Sequence, residues 1–247
     1  TRTDLGRRIR TAFVAGKGKK LVSADYSQFE LRLAAVLAED QQLIDIFNRG
    51  ADIHTETAAL VYERQEEDVT KQMRSAAKVI NFGIIYGMSP HGLSIATGMT
   101  NEQATTFINR YKEVRKPIFE YMDRVKEQSK KDGFVATLFG RRRPMPDINA
   151  SNFAVRQAAE RAAINMPIQG TEADLMKLAM VKVDDLIKSQ FKNCDMLLQV
   201  HDSILLECEE QDAKEVGQLL QKTMQEVYKL PVKLDVDVSI GDNWGEL

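Results

Sequence analysis

The chain has 247 residues, 43% of them hydrophobic and 28% charged, with a formal net charge of −2. That length buries a substantial core, as one large domain or two interleaved ones, and the near-neutral balance excludes a surface basic all over. No apolar run is long enough for a membrane span, and the opening TRTDLGRRIR lacks the apolar core of a signal peptide.

Two cysteines, Cys194 and Cys208, make no disulfide framework and suit a reducing compartment, so a cytoplasmic location is expected. The chain opens without methionine inside a polar segment and reads as a piece of a longer protein. Charge is unevenly spread. Arg2, Arg7, Arg8, Arg10, Lys17, Lys19 and Lys20 stand against Asp4 near the start, and Arg141, Arg142 and Arg143 form a second cluster. Local basic patches on a neutral body suit a nucleic-acid groove, although each cluster taken singly also suits a solvated loop.

In chain order, LVSAD (21–25) reads as a short strand ending in a carboxylate, followed by a helical pattern from Ser27 and a shorter helix over 41–48. Gly50 closes the latter, and Thr55 is a candidate cap for ETAALVYE. A central helix is expected from Val69 or Thr70 to Gly87, where Ser89 and Pro90 prevent continuation; a short helix follows over 91–97. Thr100 and Gln103 form a capping-box signature for a helical region reaching Lys131, bent at Pro117. FVATLFG (134–140) resembles a strand or hairpin arm, and Pro144 and Pro146 keep the next segment extended. A long helical stretch over 151–190 is expected to break at Met166–Pro167.

The character then changes. MLLQV (196–200) and SILLE (203–207) flank a two-residue connection, His201–Asp202, which predicts a β-hairpin. A helix over about 210–228 and the alternating strand around 233–240 complete the chain. The expectation is α+β: a small antiparallel sheet built from both chain ends, with a largely helical insertion between them.

Within the central helix, Arg74, Lys78, Phe82 and Tyr86 recur every four residues. That spacing stacks them along one helix face, spanning roughly 18 Å. Two cations followed by two rings match the length and order of a nucleoside triphosphate lying along the helix. An amphipathic helix with core aromatics and solvated cations gives the same stripe, and the helix alone does not separate the two. Asp25 and Asp202, each at a predicted strand end, converge if their strands are neighbours. Two hard oxygen donors can then hold Mg²⁺, although aspartate at a turn is also a routine turn former.

DYSQFELR (25–32), RSAAKVINFGIIYG (74–87) and QVHDS (199–203) resemble motifs A, B and C of family A DNA polymerases, the bacterial DNA polymerase I type. TLFGRRRP (137–144) and AAERAAINMPIQGTEADLMKLAM (158–180) resemble further segments of that family, in the family's order. The resemblance implies a right-hand architecture lacking the thumb, with a palm from residues 1–53 and 152–247 and helical fingers from 54–151. It implies template-directed DNA synthesis in replication and repair, with primer–template DNA and dNTPs as partners. Two Mg²⁺ ions, with Mn²⁺ as a substitute, are implied as cofactors. The thumb and N-terminal domains of a parent polymerase are implied as further partners.

Residue by residue, the resemblance implies that Asp25, Asp202 and the Tyr26 carbonyl bind the metals. Arg74, Lys78 and His54 are implied to contact the triphosphate, with Lys78 also serving departing pyrophosphate as acid or charge stabiliser. Glu30 and Phe82 correspond to residues that crowd the sugar and exclude ribonucleotides, and Phe82 in place of tyrosine implies discrimination against dideoxynucleotides. Gln28 lies with the nucleotide-contacting positions, while Tyr86, Arg161, Asn165, Gln169 and His201 correspond to template and primer contacts. One departure stands out: Ser203 replaces the glutamate that usually follows the motif C aspartate, and Glu207 is too far along the strand to be an obvious substitute. A phage-type single-subunit RNA polymerase shares the two aspartates and the R…K…YG helix, but Glu30 and Phe82 speak against it. A non-catalytic DNA-binding fragment is the other alternative, given the absent thumb and Ser203.

Overall fold

The computed structural model describes residues 8–83 and 86–247. Arg2, Asp4 and Arg7 of the N-terminal charge cluster, and Ile84 and Ile85 of the central motif, lie outside the described residues. In chain order the elements are β1 (Lys19–Tyr26), α1 (Phe29–Ala38), α2 (Gln41–Asn48), α3 (Ile53–Tyr62), α4 (Lys71–Gly83), α5 (Pro90–Thr97), α6 (Asn101–Val114) and α7 (Lys116–Asp132). Then come β2 (Phe134–Ala136), β3 (Arg142–Pro144), α8 (Phe153–Gln190), β4 (Asp195–Val200), β5 (Ser203–Glu209), α9 (Ala213–Gln225) and β6 (Val236–Gly241). The architecture is α+β, and no helix among the described residues is long and apolar enough to cross a membrane.

The chain divides into two compact units. One comprises Thr1–Phe29, Glu172–Lys229 and Lys233–Leu247. Its sheet has strand order β4-β5-β1-β6 with every pair antiparallel. Val22 and Ala24 of β1, Ile204 and Leu206 of β5, and Val216, Leu220 and Met224 of α9 are fully buried, so the amphipathic face of α9 closes one side of the sheet. Gly217 permits that approach: a Cβ there would lie 3.1 Å from Val238 Cγ1 on β6. Tyr26 stacks on Phe29 at 4.1 Å between ring centroids, and its hydroxyl donates to the Met224 carbonyl at 2.7 Å, fixing the end of β1.

The second unit comprises Glu30–Thr171 with Leu230–Val232. Helix α3 packs on α4 and α6, and α5 packs on α4 and α6, around Ile53, Ile80, Leu93, Ala104 and Tyr111. The β2–β3 ribbon seals a smaller cluster of Val135, Met145, Ile148, Ala159, Ala163 and Met166 against the first part of α8. Thr100 and Gln103 form the expected capping box at α6.

Two local expectations need correction. Thr55 does not cap α3; Asp52 does, accepting the His54 N–H at 3.1 Å and the Thr55 hydroxyl at 2.8 Å. The carboxylate reaches an open helix N–H that the shorter hydroxyl, already inside the first turn, does not. Nor does α8 break at Pro167: it runs unbroken from Phe153 to Gln190. Proline removes a single N–H and costs ~3 kcal/mol, which buried packing by Ala163, Met166, Ile168 and Leu175 on both sides of it offsets. Thr171 Oγ1 also donates to the Pro167 carbonyl at 2.6 Å.

Candidate active site

In the sheet-bearing unit, the antiparallel register sets Asp25 at the end of β1 opposite Ser203 of β5 on one side and Asp237 of β6 on the other. Asp202 sits in the turn between β4 and β5, and its carbonyl accepts the Tyr26 N–H at 3.1 Å. Strand pairing between distant chain segments therefore brings the two aspartates of motifs A and C into one neighbourhood. The Asp25 carboxyl is pushed up to about 6, first by partial desolvation and then by the charges of Asp202 and Asp237. The residue itself stays open to solvent at the end of its strand.

Two candidate residues flanking these acids have left-handed backbones, Gln28 at φ 54° and His201 at φ 56°. Non-glycine residues adopt that region sparingly, and it marks both chain reversals beside the acidic pair. Ser203 uses its hydroxyl to donate to the Val200 carbonyl at 2.9 Å, closing the hairpin turn. Glu207 lies opposite Leu21, far along the strand from Asp25. It accepts the Gly16 N–H at 2.8 Å and Lys19 Nζ at 3.0 Å, and the backbone N–H of Gly16 leads the causes that hold its carboxyl low. It is engaged there and does not replace the missing second acid. Among the described residues, no group of three or more His, Cys, Asp or Glu side chains is disposed to hold a metal.

In the helical unit, α4 displays Arg74, Lys78 and Phe82 on its exposed face, and Tyr86 beyond it is also exposed. Phe82 and Tyr86 are each 44% exposed, which excludes the core-aromatic reading of the stripe. Arg74 Nε donates to Asp52 Oδ2 at 2.6 Å, so the residue that caps α3 also orients the first cation of the row. Burial pushes the Asp52 carboxyl up, but hydrogen bonds from Arg74, Thr55 and the His54 backbone outweigh it and hold the group down at about 2. His54 is almost buried and its ring lies 5.7 Å from that of Phe82. Burial lowers its pKa; Asp52 opposes the shift, and Arg74 and Lys78 reinforce it.

At the other end of the row, the Tyr86 hydroxyl lies 2.6 and 2.5 Å from the two Glu30 carboxylate oxygens. Gln169 Nε2 donates to Glu30 at 3.2 Å and lies 3.4 Å from Tyr86 Oη. Arg161 packs along Gly87, whose added Cβ would stand 3.5 Å from the Arg161 side chain. Asn165 presents a sealed Oδ1 without a hydrogen-bond partner. Thus Glu30, Tyr86 and Gln169, distant in sequence, converge on one polar cluster. Sequence reasoning assigned no functional role to Asp52, Asn81, Tyr111 or Asp237. Only Asp52 carried a local signal, as an aspartate just before a helical pattern.

Known proteins resemble this chain in sequence and fold. The family model for DNA polymerase family A matches residues 1–246. The thermostable DNA polymerase I of Thermus caldophilus is 49% identical over 243 residues, covering 98% of this chain and 29% of that protein. DNA polymerase I of Pseudomonas aeruginosa is 46% identical over 245 residues, covering 99% and 27%. The solved POL domain of Pol1 from M. smegmatis, in complex with DNA primer-template and dNTP, superposes with a TM-score of 0.92 at 41% identity, covering all of this chain and 44% of that one. The chain therefore spans less than a third of the length of these curated relatives. With the family model matching nearly its whole length, the chain belongs to DNA polymerase family A.

Proposed function

We propose that this chain forms the palm and fingers of a DNA polymerase that performs template-directed DNA synthesis, joining a dNTP to a primer 3′-hydroxyl with release of pyrophosphate. The palm would comprise residues 1–53 and 152–247, and the fingers 54–151. The observation that carries the reading is the exposed row Arg74, Lys78, Phe82 and Tyr86, whose order of charge and rings matches a dNTP end to end. The acidic pair Asp25 and Asp202 is the second group serving the same reaction.

The residues present fit divalent cations. Asp25 carries an excess of neighbouring negative charge, and two carboxylates with the Tyr26 carbonyl give hard oxygen donors while leaving room for water and phosphate oxygens. Bound there, two Mg²⁺ ions, or Mn²⁺ in their place, would activate the primer hydroxyl and neutralise the leaving pyrophosphate. Arg74 and Lys78 hold the phosphates, and Lys78 offsets charge or donates a proton at the leaving oxygen. Phe82 and Glu30 limit space at the sugar, so a 2′-hydroxyl meets a clash or an unpaired polar group. Tyr86 stands on the template side, while Gln28, Arg161, Asn165, Gln169 and His201 position the nascent pair and the DNA backbone. Primer–template DNA and dNTPs are the partners, together with the thumb and N-terminal domains of the parent protein. Replication or repair in the cytoplasm is the setting that two free thiols suit.

Primer extension at high protein concentration, with an Asp202→Ala control, tests the reading. Extension with dNTPs that the control lacks supports it, and short products per binding event are expected. No extension above the control, or preference for rNTPs, overturns it.

A further inference from the structure

Behind the exposed row of α4 lies a chain of buried polar groups, of which only His54 is among the candidate site residues. Asn81 on α4 is 1% exposed, His54 on α3 is 3% exposed, and Tyr111 on α6 is fully buried. Tyr111 Oη donates to Asn81 Oδ1 at 3.0 Å. Asn81 Nδ2 lies 3.2 Å from His54 Nδ1 and 3.2 Å from Thr57 Oγ1. We propose that Asn81, oriented by Tyr111, is a positioning residue that fixes His54 as the neutral tautomer with its proton on Nε2, so that His54 offers the triphosphate an N–H donor. The proposal rests on the reading of the Arg74–Lys78 face as the dNTP site and adds what prepares it.

The amide orientation follows from counting donors. With Oδ1 toward Tyr111, the phenol proton has an acceptor, both amide protons are used on Thr57 and His54, and Nδ1 of the imidazole accepts. Turning the amide over would aim its oxygen at His54 and its N–H at Tyr111, leaving the phenol proton of a fully buried tyrosine without an acceptor. An unsatisfied buried donor costs roughly 1–3 kcal/mol, which selects the first arrangement.

Once Nδ1 accepts from Asn81, the proton of a neutral ring must reside on Nε2. Nε2 has no partner among the described residues, and it is not among the sealed side-chain atoms that lack one. Its N–H is therefore open to an incoming acceptor. The charged groups acting on the ring are Asp52 at the start of α3 and Arg74 and Lys78 on α4, and Tyr111 on α6 reaches it only through Asn81. Burial and both cations keep the imidazole neutral against the pull of Asp52. A neutral ring avoids a third positive charge beside Arg74 and Lys78 and still supplies directional hydrogen bonding to phosphate oxygen.

Imidazole ¹⁵N NMR on the metal-free chain reads the tautomer directly, and only three histidines need assignment. Wild-type His54 is expected to show protonated Nε2 and unprotonated Nδ1 at neutral pH. Asn81→Asp, whose carboxylate can only accept, should invert the tautomer. Tyr111→Phe, which frees the amide to turn while keeping the ring, should populate the inverted form. In primer extension with dATP, Asn81→Asp should raise the KM for dATP about tenfold with little change in kcat, the loss of one hydrogen bond to a charged group. A wild-type Nδ1–H tautomer, or no inversion in either variant, overturns the positioning role. Inversion with an unchanged KM removes His54 from triphosphate binding and overturns the proposal, while primer extension by the wild type would keep the polymerase reading standing.

Discussion

Replacing Asp237 with asparagine tests how the acidic end of the sheet is organised. Asp237 lies directly opposite Asp25, and it is the last of three causes raising that carboxyl to about 6 from an ordinary 3.8. Directly opposed side chains have Cβ atoms ~5 Å apart, and two carboxylates about 6 Å apart at a solvent-open edge repel by roughly 0.7 kcal/mol. That energy corresponds to about half a pKa unit. Asp237→Asn should therefore lower the Asp25 pKa by about half a unit and leave it well above the usual carboxylate range, whereas Asp202→Asn should lower it further. The assay is a ¹³C carboxyl NMR titration of the metal-free protein. Return of Asp25 to the ordinary range in Asp237→Asn would refute the reasoning, because desolvation would then not be the leading cause. No change at all would refute the pairing of the two charges.

The same shift sets a sign for stability. The folded pKa of Asp25 lies above the unfolded one, so between pH ~4 and 6 the folded state binds more protons. Stability contributed by the protonated group is thus lost as pH rises through that window and stays lost above it. Solvent screening at this open site limits the effect to less than ~1 kcal/mol, and Asp237→Asn should recover a few tenths of it at pH 8.

Other outcomes follow from the same coordinates. Lys78 is exposed and has no partner among the described residues. Lys78→Ala should cut kcat/KM for dNTP incorporation by roughly 10²-fold or more, while unfolding stays within about 0.5 kcal/mol of wild type; unchanged incorporation would contradict the direction assigned to the row. At Gly170, an added Cβ would lie 2.6 Å from Thr137 Cγ2, and the rotamer of Thr137 is pinned because its hydroxyl accepts the N–H groups of Phe139 and Arg141 at 3.3 and 3.2 Å. Overpacking of about 2 kcal/mol outweighs the helix-propensity gain of about 1 kcal/mol. Gly170→Ala should therefore lower the Tm by about 2–4 °C, and an equal or higher Tm would show that the β2–β3 ribbon gives way freely.

Much of what assigns this chain to its family is legible residue by residue, because its signals are local. The row Arg74, Lys78 and Phe82 follows from helical spacing, the capping box at Thr100 from adjacent residues, and the hairpin at His201–Asp202 from two apolar runs with a two-residue gap. Other features depend on segments distant in the chain. Pro167 stays helical because buried side chains on both sides hold its turn in place. Asp25 faces Asp237 only once β1 and β6 adopt their register, and a shift of one residue would send either side chain to the opposite face. His54, Asn81 and Tyr111 come from three helices, and their hydrogen bonds exist only after those helices pack. Periodicity, caps and turns are properties of neighbouring residues and were set by the sequence alone, whereas register, burial and the pairing of polar groups required the packed chain.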